Sequence, residues 1–334
     1  MSTASTSRSR SRRRALAAAA WALALFAPSC GTKTDLPVET RGGRLLPGTY
    51  GLKHVWEDVG SVTDILITSS GDLFLSVDSA EVRQYYRTSS PQLGPTTFQG
   101  LTRPFALAES ARETLFVADL GPPATVYKFR PGGGAPIDSI RDPAWGRITG
   151  IAADAEGWLY VGARVITAID AIPPDTATYS VDQIRKYSPG FDSIAVLRQF
   201  DVFSTPLGMN VRGASLLIAK QETGELERIS AEEGTRTELL LEDPLVFPQD
   251  VETDDSLSIF VADAGAGKVY RFSWLGELLS TIPDPADADT AGPFVRPAAV
   301  TAAFDFLDGR SEIWVADPGA RSVKRWKITK ENVE

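Results

Sequence analysis

The residues able to do chemistry in this chain are few. A single histidine, His54, and a single cysteine, Cys30, stand among 334 residues. That count excludes a multi-histidine metal site, a thiolate cluster for structural zinc and an internal disulfide. It leaves a Ser-His-Asp or Cys-His nucleophile no base other than His54, which alternates with Val55 and Trp56 as a strand residue does. Carboxylates are what remain. Asp78, Asp119, Asp263 and Asp317 each close a short apolar run, whereas Asp64 and Asp250 each open one. With Gln249 or Asn210, the last two could supply oxygen ligands to Ca²⁺ or Mg²⁺. Equally, they could accept backbone N–H bonds at turns and do no chemistry. The elements that position them decide between the two.

Those elements repeat. Ile259-Phe260-Val261-Ala262-Asp263 is followed by Val269-Tyr270-Arg271-Phe272, with Ala264-Gly265-Ala266-Gly267-Lys268 between them. β-Branched and aromatic runs on either side of a glycine-rich turn read as two strands of a hairpin. Ile313 to Asp317 with Val323 to Trp326, and Leu115 to Asp119 with Val126 to Phe129, repeat the unit, and three worn copies follow the same plan. The aspartate position falls at 78, 119, 163, 220, 263 and 317, with Ala163 and Lys220 as replacements, so the intervals are 41, 44, 57, 43 and 54 residues. A period of this size with four short strands per unit predicts an all-β, six-bladed β-propeller. Each blade needs an inner strand ahead of the template pair, and a short apolar run is present in all six copies, closely preceded by Pro104, Pro206, Pro248 or Pro297 in four. The sixth copy ends near Trp326 without an outer strand. Lys53-His54-Val55-Trp56-Glu57 is therefore expected to close the ring as the outer strand of the last blade.

The ends of the chain differ from its body. Five arginines precede an apolar run from Ala15 to Phe26, too short for a comfortable membrane span and suited to an export signal. Ala27-Pro28-Ser29 then leads to Cys30-Gly31, which resembles a bacterial lipoprotein signal. That resemblance implies lipidation of Cys30 and an exported protein held in the cell envelope by its acyl chains. The expected organisation is a signal at 1–29, a flexible tether at 30–49, the propeller at 50–330 and a tail at 331–334. Without the signal's five cations the chain has 29 basic against 43 acidic side chains, a net of −14. Such a body repels phosphate backbones and anionic lipids, so no nucleic-acid partner is expected, and the membrane is met through the lipid anchor only.

The strand units also resemble NHL-repeat six-bladed propellers over roughly residues 60–330. The likeness rests on a proline before the inner strand, the Gly-x-apolar-aromatic-Val-Ala-Asp core of the second strand, and the Val-x-Arg-aromatic third strand. Pro248 to Phe272 and Pro297 to Trp326 carry it best. It implies a fold, and a range of roles from protein and RNA binding to sensing. Gluconolactonase-like propellers nearby use a Glu/Asn/Asn/Asp metal set, which a chain containing only Asn210 and Asn332 cannot reproduce.

In a propeller the starts of the inner strands line one mouth of the channel. Only Thr63-Asp64 and Gln249-Asp250 bring carboxylates there. The connection from Arg164 to Gln183 is far longer than its siblings, contains Ile172-Pro173-Pro174-Asp175-Thr176, and should overhang the same mouth as a loop. Asp64, Gln249, Asp250, Trp145, Tyr179 and Phe247 are thus the candidate ligand-binding residues. The repeated aspartates read as turn caps, and the third-strand cations, such as Lys128 and Arg271, as stems packed between blades with their heads in solvent. The resulting expectation is a monomeric, non-catalytic scaffold without a cofactor, binding an envelope or extracellular protein or a small ligand. The alternative is a divalent-metal-dependent hydrolase or lactonase using Asp64 and Asp250.

Overall fold

In the computed structural model the described residues are 49–86, 92–94, 96–110, 114–168, 178–200, 205–237, 239–283, 294–305 and 310–330. Cys30, the signal, residues 30–48 of the tether and the tail at 331–334 lie outside them. Among the described residues there are twenty-four strands and no helix. Strand β1 (Thr49–Trp56) comes first. Blade one is β2 (Val62–Ile67), β3 (Leu73–Val77), β4 (Glu81–Tyr86) and β5 (Gln92–Leu93), and blade two is β6 (Pro104–Ser110), β7 (Thr114–Asp119), β8 (Thr125–Phe129) and β9 (Asp138–Ile140). Blade three is β10 (Trp145–Ala153), β11 (Leu159–Ala168), β12 (Thr178–Tyr187) and β13 (Ser193–Gln199). Blade four is β14 (Pro206–Arg212), β15 (Ser215–Lys220), β16 (Glu225–Ser230) and β17 (Arg236–Thr237). Blade five is β18 (Pro248–Thr253), β19 (Ile259–Asp263), β20 (Lys268–Phe272) and β21 (Leu278–Ile282). Blade six has β22 (Ala299–Asp305), β23 (Arg310–Asp317) and β24 (Ser322–Lys330), and β1 completes it in the order β1-β24-β23-β22. The molecule is a six-bladed β-propeller.

The second strand of each blade is buried on both faces because it is covered by the blade before and the blade after. That is why Leu73–Val77 and Ile259–Asp263 are apolar throughout rather than alternating. The inner strands β2, β6, β10, β14, β18 and β22 touch their neighbours in a closed ring. Closure follows the expected route: β1 runs antiparallel to β24, with Val55 opposite Lys324 and Trp56 opposite Val323. Trp56 is buried against Trp314 and Tyr85, with ring centres 4.7 Å and 5.4 Å apart. His54 therefore sits on the outermost strand of blade six, three strands away from the channel.

Two expectations need correction. The long blade-three connection is a β-hairpin for much of its length: β11 and β12 pair from Leu159↔Tyr187 out to Ala168↔Thr178, and only 169–177 lies outside the described residues. The third-strand cations are not free in solvent either. Lys128 donates to Pro189 O at 2.9 Å, Lys186 to Ala231 O at 3.0 Å and Arg228 to Trp274 O at 2.9 Å, each reaching the outer turn of the following blade. The turn carbonyls are part-buried, and by bonding them the cations tie successive blades together.

Candidate functional site

Near the start of five inner strands the ladder slips by a residue, between Val62 and Asp64, Pro104 and Ala106, Ile148 and Gly150, Pro206 and Met209, and Pro248 and Asp250. Such bulges re-aim the side chain that follows. Asp64 and Asp250 accordingly line the channel mouth, a cavity of about 370 Å³. Each carboxylate bridges two blades. Asp64 accepts from Ile65 N at 2.7 Å and from Leu107 N in blade two at 2.6 Å. Asp250 accepts from Val251 N at 2.8 Å and from Val300 N in blade six at 2.9 Å. Gly208 occupies the neighbouring ring position because a Cβ there would lie 2.2 Å from Asp250 Cα.

Burial pushes the Asp250 carboxyl up to about 7 against its backbone bonds. Burial, then the charge of Asp250, raises Asp64 well above the ordinary carboxylate range. Deeper in the channel Asn210 donates to Glu252 at 2.5 Å and accepts from Thr253 Oγ1 at 2.8 Å. These residues do not suit a divalent ion. The oxygens of Asp64 and Asp250 serve main-chain N–H groups, Asn210 is committed to Glu252 and Thr253, and no three acidic, histidine or cysteine side chains converge among the described residues.

The remaining sequence candidates separate. Gln249 lines the cavity, and its Nε2 is buried without a hydrogen-bond partner. Phe247 is exposed beside Val246, and Val295 is exposed at the matching place in the next blade. Trp145 is not part of a surface: it is buried edge-on against Tyr187, with ring centres 5.9 Å apart, because β10 begins there and carries it into the core between blades two and three. Tyr179 pairs with Thr167 on the hairpin, and its side chain lies outside the described set. The repeated aspartates hold loops. Asp263 accepts from Val246, Phe247, Gly265 and Ala266, and Asp317 from Val295, Arg296 and Ala320. Where Lys220 replaces the acid, Glu222 takes over, accepting from Thr205 N at 2.8 Å and from its hydroxyl at 2.7 Å.

Sequence reasoning missed three arginines. Arg147, Arg164 and Arg296 line the mouth above the two aspartates. Arg164 holds Asp182 through Nε and Nη2, both at 2.9 Å. The signal for the pair in blade three was present in Val165-Ile166-Thr167, a β-branched run that extends β11 and brings Arg164 opposite Arg147.

No protein-family profile matches the chain, and no curated protein sequence matches it. Its backbone is similar to solved propellers. The WD40 β-propeller domain of Doa1 superposes with a TM-score of 0.54 at 12% identity, covering 83% of this chain and 96% of that one. The Cps50 (Swd1) propeller domain of Myceliophteria thermophila gives 0.55 at 10% identity, covering 84% and 100%. A chain of a nidogen/laminin complex gives 0.54 at 16% identity, covering 73% and 85%. At these identities the likeness is one of fold, and it places this chain among the β-propellers.

Proposed function

We propose that this chain is an exported, lipid-anchored propeller of the NHL-repeat kind that serves as a binding scaffold without chemistry of its own. One observation carries the reading. The channel carboxylates brace the ring through backbone N–H bonds, while the exposed recognition features gather on the rim of the same mouth. These are the extended β11–β12 hairpin and the apolar side chains of Val246, Phe247 and Val295. Rigid rings that present irregular loops at one end are suited to recognition. One of the similar structures belongs to a nidogen/laminin complex, an assembly of two proteins, in keeping with such a role for this fold. β1 runs from Thr49, at the end of the disc opposite the mouth, to Trp56 at the mouth end.

Replacing 167–179 by Asn-Gly, a two-residue turn that closes the ladder at Ile166↔Ser180, is the deletion that tests this. Capture of a partner from detergent-solubilised envelope should be lost while the melting curve keeps its single transition. Capture that survives the deletion removes the rim from the account.

The raised Asp250 carboxyl favours a second reading, acid–base hydrolysis of a lactone or ester in the cavity. Turnover by the intact protein, abolished in Asp250→Asn, would select it over the scaffold.

A further inference from the structure

Blade three sets two guanidinium groups side by side. Arg147 and Arg164 are directly opposed across β10 and β11, and Asp182 stands opposite Arg164 on β12. Like charges in opposed positions weaken a sheet unless something compensates them. Arg164 is compensated by Asp182. Arg147 is exposed, has no carboxylate partner among the described residues, and lies with its guanidinium carbon 5.9 Å from the ring centre of Phe105. In a ring of six, blade six stands opposite blade three, and it contributes Arg296. The backbone N–H of Arg296 is held by Asp317, but its side chain is exposed and also without an acidic partner among the described residues.

Between these two cations the cavity wall offers unused polar atoms. Thr149 is only 2% exposed, and its Oγ1 has no hydrogen-bond partner; Gln249 is half-buried, and its buried Nε2 likewise has none. Both residues line the cavity. Buried polar atoms left unpaired cost free energy, so a ligand atom that reaches these two after a small side-chain rotation gains a bond that nothing else in the fold supplies. The other acids of the rim are already engaged, Asp182 with Arg164 and Glu222 with Thr205. In a body of such negative charge, two arginines without an acidic partner at one opening are the cations left to meet an incoming anion.

We propose that the channel mouth is a carboxylate-binding site, in which Arg147 and Arg296 receive an acidic side chain of a partner protein or a small free acid, while Thr149 and Gln249 bond the polar atoms that follow it in. Guanidinium forks match carboxylate and phosphate alike. The floor of the site decides between them: Asp64 and Asp250 lie below, and as Asp250 ionises with pH rising through about 7 a phosphate, which concentrates roughly 1.5 to 2 charges on one group, meets more repulsion there than a carboxylate group carrying one. The proposal rests on the reading of this mouth as the recognition face. Because that reading is tested by replacing 167–179, which leaves Arg147, Arg164 and Asp182 in their ladder, and this one by the arginines, either can fail alone.

The test is calorimetric titration of the full-length protein in detergent with four probes. These are a blocked hexapeptide with two central glutamates flanked by leucines, its glutamine counterpart, glutarate and inorganic phosphate. Binding is expected for the glutamate peptide, for glutarate or for both. It should weaken at least ten-fold in Arg147→Ala and in Arg296→Ala and fall as salt is raised, with phosphate binding less tightly. Arg147→Lys should recover part of the affinity, because charge survives while the fork is lost. Binding of the peptide alone identifies a protein segment as the source of the carboxylate, and binding of glutarate alone a small acid. The proposal is overturned if no carboxylate probe binds, if glutamine serves as well as glutamate, if phosphate binds as tightly as glutarate, or if both alanine variants, folded by their melting curves, bind unchanged.

Discussion

Asp263 shows what one side chain can hold in this molecule. Its carboxylate accepts four backbone N–H groups, two from the loop that leads into its own blade and two from the turn that follows it. Asp78 occupies the same repeat position in blade one but is exposed and accepts from Ser61 N at 2.7 Å. Truncating a buried acceptor leaves its donors unsatisfied, whereas water replaces an exposed one. Asp263→Ala should therefore cost about 3 kcal/mol or more in urea unfolding, and Asp78→Ala under about 1 kcal/mol. The recurring aspartate was legible from spacing alone, and so was its structural role. Its substitute Glu222 was not, because it lies two residues beyond the replaced position and only the folded turn brings it to Thr205. Asp64 and Asp250 carry the pH dependence of this scale. Both are raised in the fold, Asp250 from 3.8 to about 7, so the fold keeps protons that the unfolded chain releases. The contribution of Asp250 to stability is fully present below about pH 4 and is lost as pH rises through about 7, and that of Asp64 is lost in the same direction. The stability difference between the wild type and Asp250→Asn should accordingly shrink from pH 4 to pH 8, which urea midpoints measured across that range will show.

At the scale of strands, β1 and the β11–β12 hairpin were read with unequal success. The role of β1 followed by subtraction: blade six lacked an outer strand, and Val55-Trp56 had no other sheet to join. Trp56 fixes it there, in contact with Trp314 of its own blade and Tyr85 of the next. Trp56→Ala should remove about 3–5 kcal/mol, seen as a lower urea midpoint with a single transition if the ring opens as a unit. The hairpin was taken for a loop because Pro173-Pro174 dominated its reading, yet ladder pairing persists to Ala168↔Thr178, short of the prolines. The same oversight hid the arginine pair. Cross-strand neighbours can be named only when both strands are known to reach that far. Trp145 was misplaced for a related reason: β10 begins at Trp145 itself, so a residue read as part of a rim is an inward-facing strand residue.

For the molecule as a whole, the period and the aspartate spacing were sufficient for the number of blades, the order of strands and the position of the mouth. The chemistry of the mouth was less accessible. It is assembled from all six blades, with partners more than forty residues apart such as Asp64 and Leu107, and single-chain periodicity carries no information about which of them meet. One further property follows from the pairing of Thr49 with Lys330 across β1 and β24. The two ends of the folded disc are neighbours in one ladder, so its backbone is nearly a circle cut at a single point. The cut could be moved: a short bridge from 330 to 49, with new ends opened within 169–177, would leave every ladder of the six sheets in place. Such a rearranged ring would be entered and left beside the mouth, at the 168 and 178 end of its longest ladder, rather than at the opposite face where 49 and 330 meet.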